Sequence, residues 1–231
     1  MNFENSTSGS PVIELDEQSR GRFIARTYGH LAGAVLVFVA IEVVLFQTGL
    51  AESLARTLIG TSWLLVLGGF MLIGWLARFA ASRTESLVGQ YLALTAYVLA
   101  EAIIFVPLLY IANHFAPGAI TSAALISVLG FGSLTLLVFA TRKDFSFLRG
   151  VLMWGGIIAL LTIVGGVIFG FHLGTFFSVA MIGLAGASIL YDTSNVLHHY
   201  PEDRYVGAAL ELFASVALLF WYVLRLLSSR D

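Results

Sequence analysis

Cysteine is missing from all 231 residues, so disulfides, thiolate metal sites and cysteine nucleophiles are excluded. Charge is nearly as scarce: Asp, Glu, Lys and Arg make up 11%, where a soluble domain carries about 25%. The formal net charge of −2 leaves no basic surface for nucleic acid. There is no P-loop, no dinucleotide fingerprint and no HExxH, and no enzymatic activity is expected. The first 19 residues lack the positive start and small-residue cleavage site of a signal peptide, so the first membrane helix should serve as its own uncleaved signal. That stretch is polar, with Glu4, Glu14, Asp16 and Glu17. It reads as a mobile tail (1–19) ahead of one transmembrane domain (20–231).

What is present is apolar: 58% of the residues are hydrophobic, spread along the whole chain after residue 25. A bilayer span needs about 20 mostly apolar residues. Seven segments qualify, at 26–48, 58–80, 87–112, 119–141, 150–170, 174–197 and 205–227, which predicts an all-α polytopic membrane protein. Turn chemistry separates them, most clearly Ala-Pro-Gly at 116–118, the charged run 141–149, and 198–204 around Pro201. Seven spans put the termini on opposite sides. The N-terminal side holds Arg20, Arg22, Arg26, Arg78, Arg83, Arg142, Lys143, Arg149 and Arg204; the other holds Arg56, Arg225 and Arg230. This bias predicts a cytoplasmic N-terminus and an exterior C-terminus. Gly29/Gly33 and Gly166/Gly170 are spaced for close helix packing.

Ionisable side chains inside hydrocarbon cost about 2.5–3.5 kcal/mol on insertion scales and point to function. Asp192 lies about five residues, roughly 7 Å at 1.5 Å per residue, inside the sixth span. Ser188, Asn195 and His199 share its helix face. Glu211 enters the seventh span from the same side to a similar depth, so the two acids can share a site. Two carboxylates held close cannot both ionise cheaply and would titrate as a coupled pair. Their oxygens suit a hard cation such as Ca²⁺, bound transiently, or a proton. The bland alternative is that each acid bonds a neighbouring group and locks the bundle.

Glu211, Ser215, Tyr222 and Arg225 fall within roughly 40° of one line and would border a path, with Arg225 snorkelling to the exterior interface. Glu101, six residues before Pro107, is either a further pathway station or a structural acid paired with a tyrosine or arginine. Glu42 is a weaker candidate. Arg78 is the cation best placed to reach Asp192 and act as a latch. His198 and His199 read as solvated, and Trp63, Trp75, Trp154 and Trp221 as packing or interface anchors.

The run VFATRKDFSFL at 138–148, the span-three Glu101, MIGLAGASILYDTSNVLHH at 181–199 and AALELFASVALLFWYVLRLL at 208–227 together resemble the Bax inhibitor-1 family, in its bacterial branch. The resemblance implies a bacterial inner-membrane protein of seven helices with the last helix central. It also implies a pH-sensitive cation leak, chiefly for Ca²⁺, gated by two aspartates on helices six and seven. The first maps onto Asp192; the second falls on Ser215, where this chain departs from the pattern. Either Glu211, one turn away, supplies the second carboxylate, or the station is lost and the protein does not conduct. A second function class is therefore a non-conducting regulator that binds another membrane protein. Tyr191-Asp192 also matches half of an intramembrane aspartyl protease signature, but the Gly-x-Gly-Asp half is absent and proteolysis is not expected.

Overall fold

In a computed structural model, which describes residues 11–84 and 86–229, the chain forms eight α-helices. They are α1 (Glu17–Gln47), α2 (Leu50–Gly60), α3 (Trp63–Arg83), α4 (Leu87–Phe115), α5 (Ala119–Thr141), α6 (Leu148–Phe169), α7 (Thr175–His198) and α8 (Tyr205–Ser228). All but α2 are long and apolar enough to cross a bilayer. Seven spans are present as predicted, the second starting at Trp63 rather than at 58 because 58–60 belong to α2. The α3–α4, α5–α6 and α7–α8 connections share the end of the bundle at which α1 starts, here the proximal end; α2 lies at the distal end. The side chains of Trp63 and Arg83, together with Arg230 and residues 1–10 of the expected mobile tail, lie outside the described residues.

The last helix is the axis. α8 packs against α1, α3, α4, α5 and α7. Five consecutive residues, Val206 to Leu210, are buried, so it has no face left for lipid. Lipid tails are as apolar as leucine, so helices associate here through close contact rather than by escaping water. Small residues at Gly207, Ala208, Ala209, Ala214 and Ala217 let five neighbours approach one helix. α4 is the second buried helix, and it continues through Pro107. By contrast, a side chain added at Gly29 or Gly33 would meet nothing within 4 Å. That pair does not mediate close packing as its spacing suggested. Gly170 instead closes α6 at φ 72°.

Two further features depart from the sequence reading. α2 was not expected: its 11 residues are too few to span, and it folds back with Ala51 and Ala55 buried against Val106 and Tyr110 of α4. Gly49, at φ 76°, makes that turn possible. Residues 11–19 of the expected tail are held against the bundle. From Pro11 onward the chain docks on the α7–α8 turn: Pro11 bridges Pro201, Val12 N–H donates to Tyr200 O at 2.9 Å, and the Val12 side chain is fully buried. The Arg20 guanidinium donates to the carbonyls of Val12, Ile13 and Leu15. Asp16 caps α1 by accepting from the Gln18 and Ser19 amides.

Candidate functional site

α7 and α8 leave the short proximal turn side by side and carry Asp192 and Ser215 to the same depth. Ser215 Oγ donates to Asp192 Oδ2 at 2.5 Å; Ser215 is buried and Asp192 half-buried. One turn nearer the proximal end, Glu211 Oε2 stands 3.4 Å from Arg78 Nη1 of α3. Arg78 also lies over the Tyr97 ring, 5.8 Å from its centre. Glu101, one turn along α4 from Tyr97, is buried beside it.

The two acids thus share a neighbourhood but take different partners. Asp192 is satisfied by the hydroxyl that replaces the expected second aspartate, and the arginine expected for Asp192 meets Glu211 instead. Arg78 keeps 47% of its side chain exposed and Glu211 27%. Such a pair is held more weakly than a fully buried one and can be broken.

The exposure comes from two cavities. The larger, of about 1200 Å³, reaches from the distal end, where Thr61, His172 and Arg225 line it, to Glu101, Ser188, Asp192, Glu211 and Ser215 at its inner end. The smaller, of about 440 Å³, opens at the proximal end and is lined by Arg149, Asn195, His199, Tyr200 and Arg204 among others. Both count Arg78, Tyr191 and Glu211 among their walls. Those three residues form the partition between them.

The sequence-derived stripe Glu211, Ser215, Tyr222 and Arg225 lies along the larger cavity. Arg225 does not snorkel outward: its Nη2 donates to Leu173 O at 3.1 Å and its guanidinium covers Phe177, tying α8 to the α6–α7 loop. Ser188 faces the larger cavity and Asn195 the smaller, so the polar face of α7 runs past the partition.

At the proximal end Asp144 accepts from Ser146 N–H at 2.8 Å and from Ser194 Oγ at 3.4 Å, with His199 Nε2 3.4 Å away. The Ser146 amide first, and the neighbouring imidazoles after it, hold its carboxyl below the usual range. His199 is thus paired rather than merely solvated, and His198 Nδ1 lies 2.8 Å from Ser194 O. Burial, and then the nearby Glu211 and Asp192 carboxylates, push the Tyr200 phenol well above its ordinary value. Among the described residues no group of three or more His, Asp and Glu side chains is disposed to hold a metal. Asp192 and Glu211 could offer a passing Ca²⁺ only two carboxylates, each already engaged.

Sequence reasoning missed Gln90, whose fully buried amide donates to Asp203 O at 3.1 Å and accepts from Gly207 N–H at 3.2 Å. A lone amide in the apolar run 87–98 was the available signal. It also took Arg149 and Arg204 only as topology charges. Glu42 is buried with neither carboxylate oxygen partnered. Of the tryptophans, Trp75 and Trp154 face outward, while Trp221 packs edge-on to Phe105 at 5.0 Å.

Comparison with known proteins adds the following. The family model described as inhibitor of apoptosis-promoting Bax1 matches residues 20–231. A relative in Escherichia coli K12, the modulator of FtsH protease YccA, is 35% identical over 99 residues, covering 41% of this chain and 44% of that protein. The match to it therefore spans less than half of its length. The BI1-like protein of Arabidopsis thaliana is 29% identical over 225 residues, 94% of this chain and 84% of its own. Bax inhibitor 1 of Schizosaccharomyces pombe is 26% identical over 238 residues, 97% and 82% of the two chains.

Proposed function

The chain belongs to the Bax inhibitor-1 family, and from that premise we propose that it is a gated cation leak, for Ca²⁺ or protons, in a bacterial inner membrane. The observation that carries this reading is the partition. Two cavities approach from opposite ends and stop at the same Arg78–Glu211 pair. Breaking the Arg78–Glu211 contact frees the guanidinium, lets the partition part and opens the path. Glu101, Ser188, Asp192 and Ser215 line the approach on the distal side. The excess of Lys and Arg at the proximal end supports a cytoplasmic N-terminus and an exterior C-terminus. An Escherichia coli relative is named an inner membrane protein.

The test is Ca²⁺ flux through purified protein in liposomes between pH 5 and 8. Wild-type flux is expected to rise as pH falls, and the Asp192→Asn/Glu211→Gln double variant to conduct at a pH-independent rate. No flux at any pH removes the leak reading.

A second reading has its own support in the relative named as a modulator of FtsH: a non-conducting regulator that binds a membrane protein. Its mark would be an activity in cells that survives the double variant but is lost when residues 1–10 are deleted.

A further inference from the structure

The larger cavity has a polar inner end, a polar mouth and an apolar stretch between them. Phe70 of α3, Ile104 and Leu108 of α4, Leu160 and Ile163 of α6 and Leu218 of α8 wall that stretch. Ordered water needs several polar partners, and walls of this kind favour an apolar guest. α3 packs chiefly on α4, and α6 chiefly on α7, so the two flank the cavity and barely meet. Met71 of α3 and Met153 of α6 line it and are also exposed, within spans that hydrocarbon surrounds.

α8 sets the length of the space. Ser215 at the inner end and Arg225 at the mouth are ten residues apart, about 15 Å at 1.5 Å per residue. One leaflet, half of a hydrocarbon core of about 30 Å, holds an acyl chain of the same reach. The mouth is cationic. Arg225 and His172 line it, and the cavity's carboxylates, Glu101, Asp192 and Glu211, all stand at the inner end. Among the described residues no carboxylate forms an ion pair with Arg225, whose Nη2 donates to Leu173 O. Glu52, the acid of α2 at the distal end, pairs with Arg56. α7 starts beside the mouth, at Thr175, and its N-cap Gly174 offers no side chain to the first amides. That end of a helix bears a partial positive charge.

We propose that this cavity is a binding site for the acyl chain of an anionic membrane lipid, which enters between α3 and α6. The chain lies along α8 with its terminal methyl near Ser215, and its head group meets Arg225 and the start of α7. The site does not depend on the leak; where the protein conducts, a bound chain fills the distal approach to Arg78 and Glu211.

Trp221 supplies the readout, because it lines the cavity one turn from Arg225 on the central helix. Bromine quenches indole fluorescence only on contact. Full-length protein carrying Trp63→Phe, Trp75→Phe and Trp154→Phe is placed in phosphatidylcholine nanodiscs and titrated with dibromostearate. Saturable quenching, reversed by excess stearate, is expected. Gly156 lines the cavity, and a side chain added there meets nothing within 4 Å, so Gly156→Leu should fold and fill the space. It should weaken binding at least tenfold, while Gly132→Leu, equally free of clashes but outside the cavity, should leave binding unaltered. The methyl ester of dibromostearate, which lacks the charge, should bind at least tenfold more weakly than the acid, a comparison that needs no cavity variant. No quenching, quenching without saturation, or equal binding by the two glycine variants overturns the site. Equal binding of acid and ester overturns the anionic head.

Discussion

Ser215 gives Asp192 a proton donor where an aspartate would bring a second negative charge. Removing the hydroxyl with Ser215→Ala strands a carboxylate in the bundle, and should lower stability by about 1–3 kcal/mol, read as a drop in the detergent melting temperature. Installing the acid with Ser215→Asp should make the two carboxylates compete for one proton. The pH profile of liposome Ca²⁺ flux is then expected to shift relative to wild type. Gln90→Leu would leave the buried Gly207 amide unpaired, a loss of about 1–3 kcal/mol, again checked by thermal melting. Asp144 provides a pH test outside the bilayer. Its folded value is depressed, so its contribution is complete above the unfolded value of about 3.9 and is lost as pH falls through the folded one. Amide exchange at Phe145 and Ser146 should rise across that acid range, and Asp144→Ala, which removes the acceptor, should show the faster exchange already at neutral pH. The acids themselves were legible in the sequence because each interrupts an apolar run. Their partners were not: a register argument places side chains along one helix, but the pairing of Arg78 with Glu211 rather than Asp192 depends on how α3 is rotated against α8.

Among the elements, the long helices followed from hydropathy alone, since each exceeds the length that a bilayer demands. α2 did not, because 11 residues with Glu52 and Arg56 look like loop until α4 offers a surface for Ala51 and Ala55. The docking of 11–15 on the α7–α8 turn was equally hidden, being carried by main-chain bonds and by one arginine that the charge count treated as an anchor. That strap has a clear weak point. Arg20→Gln removes the cation that gathers three carbonyls, and limited proteolysis before residue 17 should quicken several-fold while the seven spans stay resistant. For α8 the opposite sensitivity holds. Ala209→Phe would force a ring between helices where Ala209 is fully buried; overpacking of this kind costs about 1–3 kcal/mol, and the variant should melt lower or aggregate on extraction.

At the scale of the molecule, span number and charge bias came from composition, and the central place of the last helix came with the family resemblance. The two cavities belong to neither source, because a void is made by residues that fail to meet, and no single stretch of sequence records it. Their arrangement bears on the membrane potential. Where water fills the cavities on both sides, the low-dielectric layer narrows to the partition of Arg78, Tyr191 and Glu211, and the transmembrane voltage falls mainly there. A unit charge carried across the full potential changes energy by about 2.3 kcal/mol per 100 mV. Because the Arg78–Glu211 contact sits within that drop, an interior-negative voltage pulls the guanidinium toward the cytoplasm and the carboxylate away from it. Liposomes clamped with potassium and valinomycin should therefore show a leak whose rate at fixed pH depends on voltage, and Arg78→Gln should flatten that dependence.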